Sequence, residues 1–349
     1  MKTLLSFIEH PPAIPASTAW YLAAIAESKG KQELFKRQSP QKLKALREHA
    51  LIQSAVSSNR IEGVTIDDSR IATVVFGKPL LRDRNEEEIG GYREALKLIH
   101  EKGKRIEVSE STILHFHKLT KGEMWDSGKY KAKDGDIIEK YPDGSSRVRF
   151  STVPAIETPG CMQELIRLWQ QSSTETQIPF MILLAAFNLD FLCIHPFRDG
   201  NGRLSRLLLL LQAYHGDLEV GRYISIERLI EENKDRYYET LEQSSQKWHE
   251  GTHDPWPYIQ FILYIFKMAY KEFEERIGQM EGKRGEKRSM IEDVIEKTIG
   301  SFSVRELQNQ CPGVSIDMIR HVLKDMQKEG KVECLGKGQA AKWQRKAVN

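Results

Sequence analysis

Cysteine is scarce in this 349-residue chain: Cys161, Cys193, Cys311 and Cys334 are far apart and include no CxxC pair. That spacing fits reduced thiols better than a disulfide framework or a zinc site. Long apolar runs are missing too. The run from Phe180 to Ile194 is broken by Asn188 and Asp190, and the one after Arg206 stops at Gln212, so neither reaches the ~20 residues that span a bilayer. The opening residues, MKTLLSFIEHPP, hold too short an apolar core for a secretory signal, so a cytoplasmic protein without membrane attachment is expected. Nor does one sign of charge dominate: 52 Lys and Arg face 49 Asp and Glu, a net +3. The balance is uneven along the chain, however, since residues 282–349 carry 14 basic against 9 acidic side chains, a net +5. There is no internal repeat and no low-complexity tract.

β-prone sequence is confined to about 137–152 and 331–345. Elsewhere leucine, alanine and long charged residues recur at helical spacing, which predicts a mainly α protein. The charged, glycine-punctuated stretch MEGKRGEKRS, 280–289, follows a helical segment from Pro257 to Ile277 and reads as a junction. The expected organisation is an N-terminal helical region, 1–110, a core over 111–279, and a linker with a small C-terminal domain over 280–349.

Between two segments apolar on nearly every face lies HPFRDGNGRLSR, residues 195–206. Gly200 and Gly202 let the backbone turn tightly and approach a ligand, and a helix starting near Arg203 adds unpaired N–H donors at the positive end of its dipole. Such a turn cradles phosphate. Arg203 and Arg206, one helical turn apart, suit successive phosphates of a polyphosphate. Asp199 offers a hard oxygen for Mg2+, and His195, with an ordinary pKa near ~6.5, can take a proton from an attacking hydroxyl. Helix capping by Asp199 and Asn201 is the plainer alternative, but it accounts for few of these residues.

A second stretch ends a helix expected over 41–61: SNRIEG, Ser58 to Gly63. Gly63 supplies the stop, and Glu62 in a last turn opposes the helix dipole, so it calls for a cation; local pairing with Arg60 would be the ordinary answer. The segment DIIEKYPDGSSRVRF places a Pro-Asp-Gly turn between β-prone runs and predicts a hairpin. ISIERLIEENKDRYYETLEQSS reads as one amphipathic helix, whose Tyr237 and Tyr238 serve either core packing or base stacking. In the tail, helices are expected over Met290–Ile299, Val304–Gln310 and Ile316–Glu329, capped at the latter two by Ser303 and Ser315, followed by a basic hairpin.

His195, Phe197, Asp199, Gly200, Asn201, Gly202, Arg203 and Arg206 together match the pattern H-x-F-x-D/E-G-N-G-R-x-x-R, and on them the chain resembles the Fic family. The resemblance implies a Fic-type helical bundle with a β-hairpin flap, here followed by what resembles a small winged-helix domain. It implies transfer of AMP from Mg-ATP to a Ser, Thr or Tyr hydroxyl of a target protein, which could be the chain itself. His195 would be the general base and Asp199 the Mg2+ ligand. Gly200, Asn201, Gly202 and Arg203 would hold the α- and β-phosphates, and Arg206 the γ-phosphate. The Doc branch, which transfers phosphate, has lysine where this chain has Gly202. Ser58, Glu62 and Gly63 resemble the inhibitory S/T-x-x-x-E-G/N helix of one Fic class, in which the glutamate pairs with the second arginine, Arg206 here. The flap resemblance implies that Phe150, Ser151 and Thr152 border the nucleotide, with Tyr238 toward the adenine. Where related proteins often carry an asparagine beyond it, this chain has Ser244 and Ser245. The same site could also remove AMP, and the whole could be a DNA-binding regulator with a nucleotide-sensing core. Self-association and DNA contact through the tail are further expectations, although Asp317 near the start of the recognition-position helix would repel phosphate.

Overall fold

A computed structural model describes the whole chain except residues 39, 68–69, 71–73, 75–82, 123, 141–142, 176, 281–285, 298–300, 312–313, 337–340 and 347–349. The chain divides into two compact units, Met1–Glu274 and Glu275–Asn349. The described structure is mainly helical with two small antiparallel sheets. In chain order the first elements are α1 (Lys2–Glu9), α2 (Ala16–Gln38), α3 (Pro40–Ile61), α4 (Arg84–Lys102), α5 (Glu110–Lys121), β1 (Asp136–Lys140), β2 (Ser146–Ser151), α6 (Thr158–Glu175), α7 (Phe180–Ile194) and α8 (Asn201–His215). Then come α9 (Ile226–Glu232), α10 (Lys234–Ser245) and α11 (Trp256–Met280).

Helix α7 is the centre of the first unit: every residue from Met181 to Ile194 is buried. The two polar residues that break its apolar run each secure another element. Asn188 donates to the Ser205 carbonyl of α8 at 2.8 Å and accepts from the Tyr258 hydroxyl of α11 at 2.6 Å. Asp190 accepts the Thr3 and Leu4 N–H groups at the start of α1, both at 3.0 Å, and the Trp248 indole N–H at 2.6 Å. Each buried polar group is thus satisfied, as burial requires. Helix α8 packs along α7 and is itself buried from Arg203 to Tyr214. It starts at Asn201, two residues before the position expected from sequence, because Gly200 at φ 87° turns the chain into it.

Serine and aspartate caps mark other starts: Asp83 accepts the Glu86 N–H at 2.9 Å and Ser109 accepts the Thr112 N–H at 3.2 Å. Strands β1 and β2 form the expected hairpin, with Asp136 opposite Ser151 and an irregularity between Ile137 and Ile138. Of its turn, Pro142 lies outside the described residues, while Asp143 accepts the Ser145 N–H and Gly144 stands at φ 84°. The segment expected as one helix over Ile224–Ser245 is two, α9 and α10. Asn233 breaks it by donating its side-chain amide to the Leu229 carbonyl, so a side chain replaces the next helical N–H.

The second unit contains α12 (Glu286–Lys297), β3 (Ser301–Ser303), α13 (Val304–Gln310), α14 (Ile316–Lys328), β4 (Val332–Cys334) and β5 (Lys342–Arg345). Its sheet has the order β3-β5-β4, antiparallel throughout. Ile291, Ile295, Phe302, Leu307, Ile319, Val322, Leu323 and Val332 are among its core residues. Ser303 and Glu306 cap α13 reciprocally, and Ser315 caps α14. Two expectations are corrected here. The first helix begins at Glu286, inside the stretch read as a linker, and β3 was not foreseen; three residues are too short to show an alternating pattern.

Candidate functional site

The histidine of the loop owes its placement to backbone conformation. α7 ends with His195 in the left-handed region, φ 52°, its N–H bonded to the Phe191 carbonyl at 3.0 Å. A non-glycine residue there costs energy unless its surroundings hold it. The loop beyond is closed by Asn201, whose side chain accepts the Phe197 N–H at 2.9 Å and donates to the Phe197 carbonyl at 2.7 Å. That amide is therefore engaged within the loop, and the backbone N–H groups of Asn201, Gly202 and Arg203, at the first turn of α8, are what the motif presents to an anion. Phe197 is buried under His117 of α5, rings stacked 3.8 Å apart. His117 accepts the Gly128 N–H on Nδ1, so its Nε2–H donates to the Asp199 carbonyl at 3.1 Å. Burial pushes the His117 imidazole down to about 4.

Both arginines of α8 are buried, and each is gripped by the end of α3. Arg206 donates through Nε to the Ser58 hydroxyl, and through Nη2 to the Ser58 carbonyl and to Glu62 Oε1, all at 2.8 Å. Arg203 donates through Nη1 to Asn59 Oδ1 at 3.1 Å and to the buried carboxylate of Glu88 on α4. Glu62 lies one residue beyond the last helical residue of α3 and thus reaches α8 rather than the local Arg60. Gly63 at φ 81° turns the chain away behind it. A Cβ on Gly202 would stand 2.2 Å from Glu62 Oε1, so that glycine is what admits the carboxylate to the loop. Burial works against the Arg206 charge, but Glu62 together with Tyr237 and Tyr92 outweighs it and strengthens the guanidinium's hold on its proton. Two buried donors are left over: Nε of Arg203 and Nη1 of Arg206 have no hydrogen-bond partner among the described residues.

Glu88 is the hub that sequence reasoning missed. It also accepts Lys121 Nζ of α5 at 2.8 Å and Arg84 Nε at 3.0 Å. Burial alone would raise its carboxyl, yet the Lys121 and Arg203 bonds overcome that and hold it below its ordinary value. Lys121 in turn donates to Asp199 Oδ2 at 2.6 Å, while Asp199 Oδ1 accepts the Gly200 N–H at 2.6 Å. Desolvation pushes the Asp199 carboxyl up, but the Lys121 bond and charge more than offset it and keep it ionised. Nothing local to sequence pairs residues 33 positions apart; only the run of glutamates at 86–88 opening a helix gave a trace.

Two cavities meet at His195. One, of about 210 Å3, is lined by Glu62, Gly202, Arg149, Phe150, Tyr238 and Ser245 among others. The other, of about 590 Å3, is lined by residues 125–126 and 129–136 together with Phe197 and Arg198. Of the expected flap residues, Phe150 borders the first cavity. The Ser151 carbonyl is instead taken by the His249 ring at 2.7 Å, and the Thr152 hydroxyl accepts Lys131 Nζ at 2.7 Å. Tyr238 lines the first cavity beneath Arg149, whose guanidinium lies 5.2 Å above its ring, and the buried Tyr237 lines it as well. Ser244 is buried and accepts the Tyr258 N–H, leaving Ser245 on the cavity wall. Burial, and next the charge of Lys131, push the His195 imidazole down to about 4; the Leu192 backbone and the carboxylates of Glu62 and Asp199 oppose this without reversing it. At neutral pH it is an uncharged proton acceptor. Among the described residues no group of three His, Cys, Asp or Glu side chains could hold a metal ion. The Asp199 carboxylate fits Mg2+ only in the manner of a nucleotide's metal, one carboxylate sharing the ion with phosphate oxygens and water.

Residues 107–213 match the Fic/DOC family. A curated relative, "Protein adenylyltransferase Fic" of Nematostella vectensis, is 25% identical over 167 residues, a match covering 46% of this chain and 36% of that protein. The chain thus spans about a third of that relative's length. Among solved structures, a Fic family protein from Desulfovibrio desulfuricans superposes with a TM-score of 0.66 at 19% identity, covering 97% of this chain and 98% of that one. A Fic domain containing signaling protein from Bacteroides thetaiotaomicron gives 0.58 at 20% identity, covering 71% and 94%. The fold and the histidine-to-arginine loop together define a Fic-type helical core. The chain carries a Fic/DOC family domain.

Proposed function

We propose that the chain is a protein adenylyltransferase that moves AMP from ATP to a hydroxyl of a target protein and rests in an inhibited state. The observation that carries this reading is the pair of buried guanidiniums, Arg203 and Arg206, with an orphaned donor on each among the described residues, in the first two turns of the helix that follows a neutral imidazole. Unpaired buried donors are costly, and phosphate oxygens are the acceptors that this geometry suits. ATP is the substrate: the α8 N–H groups and Arg203 hold its inner phosphates and Arg206 the outer one. His195 takes the proton of the incoming hydroxyl, whose oxygen attacks the α-phosphorus, and pyrophosphate leaves with the bonding electrons. Asp199 would hold Mg2+, which would supply charge neutralisation at the leaving group.

Glu62 accounts for the resting state. Its carboxylate occupies Arg206 and reaches into a cavity of about 210 Å3, below the ~300 to 1,000 Å3 typical of ligand pockets. A γ-phosphate and this carboxylate compete for one guanidinium. Incubation with labelled ATP and host proteins tests both claims. Glu62→Gly should raise incorporation of AMP above the wild type and Glu62→Gly/His195→Ala should abolish it; no label in any target, or equal labelling by both variants, overturns the reading.

For the tail we infer a winged helix, supported by the order helix, strand, helix, helix, strand, strand. Its α14 shows solvent a mixed face: Asp317, 91% exposed, pairs with Arg320 at 3.3 Å. That supports a protein contact over a phosphate backbone. The Mg2+, the cytoplasmic setting and self-association remain parts of this proposal; among the described residues no helix is long and apolar enough to cross a membrane.

A further inference from the structure

Lys131 stands in the loop before the hairpin, is almost fully buried, and has no part in the chemistry above. Its contacts converge on the carbonyls of the two residues that flank His195. Its backbone N–H donates to the Pro196 carbonyl at 2.9 Å, and its ammonium donates to the Ile194 carbonyl at 3.3 Å. The carbonyls just before and just after the histidine are therefore both held by one residue. Between them His195 adopts its left-handed backbone, which needs such external restraint, and its buried ring interacts with the main chain again at Leu192. The orientation of the ring is thus set through the main chain. The same ammonium donates to the Thr152 hydroxyl, which donates onward to the Gly135 carbonyl at 2.5 Å, so the restraint extends to both feet of the β1–β2 hairpin.

We propose that Lys131 is a positioning residue for His195: it clamps the carbonyls on either side of the histidine, ties that clamp to the hairpin, and sets a positive charge against protonation of the ring. The proposal rests on the reading of His195 as the proton acceptor. Its electrostatic side agrees with the surroundings. Among the described residues the ammonium has no carboxylate in ion-pair contact; Asp134 of its own loop, Asp136 at the start of β1 and Cys161 of α6 act on it more weakly than burial, which brings it down to about 8. Around the imidazole, Lys131 opposes protonation while Glu62 of the α3 end and Asp199 of the loop favour it. A lysine is otherwise rare in such a place, because an unpaired buried ammonium is expensive.

The test uses the full chain carrying Glu62→Gly, with Lys131→Met and Lys131→Arg added separately. Methionine keeps the length of the side chain and removes its charge and donors; arginine restores both. With Lys131→Met, kcat for AMP transfer should fall on the order of 10- to 100-fold while KM for ATP changes less than about threefold, since a displaced base impairs the proton transfer and not the phosphate grip. Lys131→Arg should recover activity to within about tenfold of the parent, a loss of the size ascribed to imperfect placement. The nuclear magnetic resonance titration of His195 in ATP-free protein should move to higher pH in Lys131→Met and stay near the parent in Lys131→Arg. That titration separates the two claims: if no variant transfers AMP but the imidazole shifts as stated, the positioning role stands and the proposed reaction fails. If activity falls only in step with thermal stability, or methionine leaves the imidazole titration in place, the positioning role is overturned.

Discussion

Two carboxylates serve the arginines of α8, and they differ in how they are built in. Glu88 projects from the second turn of α4, is almost fully buried, and holds Arg203, Lys121 and Arg84 at once. Glu62 sits just past the end of α3, keeps 30% of its side chain exposed, and holds Arg206. One is a structural counter-ion shared by two buried cations. The other is a removable one, short of the entanglement that would fix it. The difference between a scaffold and a latch is here a difference in how many partners a carboxylate has and how much water reaches it.

The sharpest way to break the comparison is Glu88→Gln. Breaking a buried pair by removing one charge costs about 3 to 5 kcal/mol, so urea denaturation should show a large loss of stability together with loss of any activity. Glu62→Gly should lower stability by no more than about 1 kcal/mol, because a half-open pair is worth little, while raising AMP incorporation. If the two substitutions cost the same in denaturation, the distinction is wrong. Acid should act next. His100, His117 and His195 are buried and held to about 3, 4 and 4. Each has a folded pKa below its unfolded one, so the stability each contributes is full above about pH 6.5 and is lost as pH falls from there toward 4. A melting temperature that falls steadily between pH 6.5 and 4.5, reduced in slope by His117→Phe, would bear this out; a flat profile would contradict it. Comparable in size to the Glu62 change, Asn59→Ala removes one neutral acceptor from Arg203 and should cost about 1 kcal/mol, measurable in the same denaturation.

The loop itself was legible because its residues are consecutive: glycines, arginines and histidine in one stretch state a turn, a helix start and an anion site together. α7 was legible from its apolar length, with the observed ends at Phe180 and Ile194. What stayed hidden depends on distance along the chain. Glu88 meets Lys121 and Arg203, and Lys131 meets Ile194, only after folding, and no local pattern announces either. The break at Asn233 escaped notice because both flanking segments are amphipathic and a single asparagine does not rule out a helix. β3 escaped because its pairing partner lies some forty residues later, so it is strand only by virtue of β5.

Asp190 has a consequence for how the chain is made. The first turn of α1 is anchored by a side chain 186 and 187 positions downstream, so this helix leaves the ribosome long before its anchor exists. At about 5 to 20 residues per second the interval is roughly 10 to 40 s. During that time an apolar face bearing Leu4 and Phe7 must wait uncovered, which marks the nascent amino-terminal segment as a natural client for a holding chaperone.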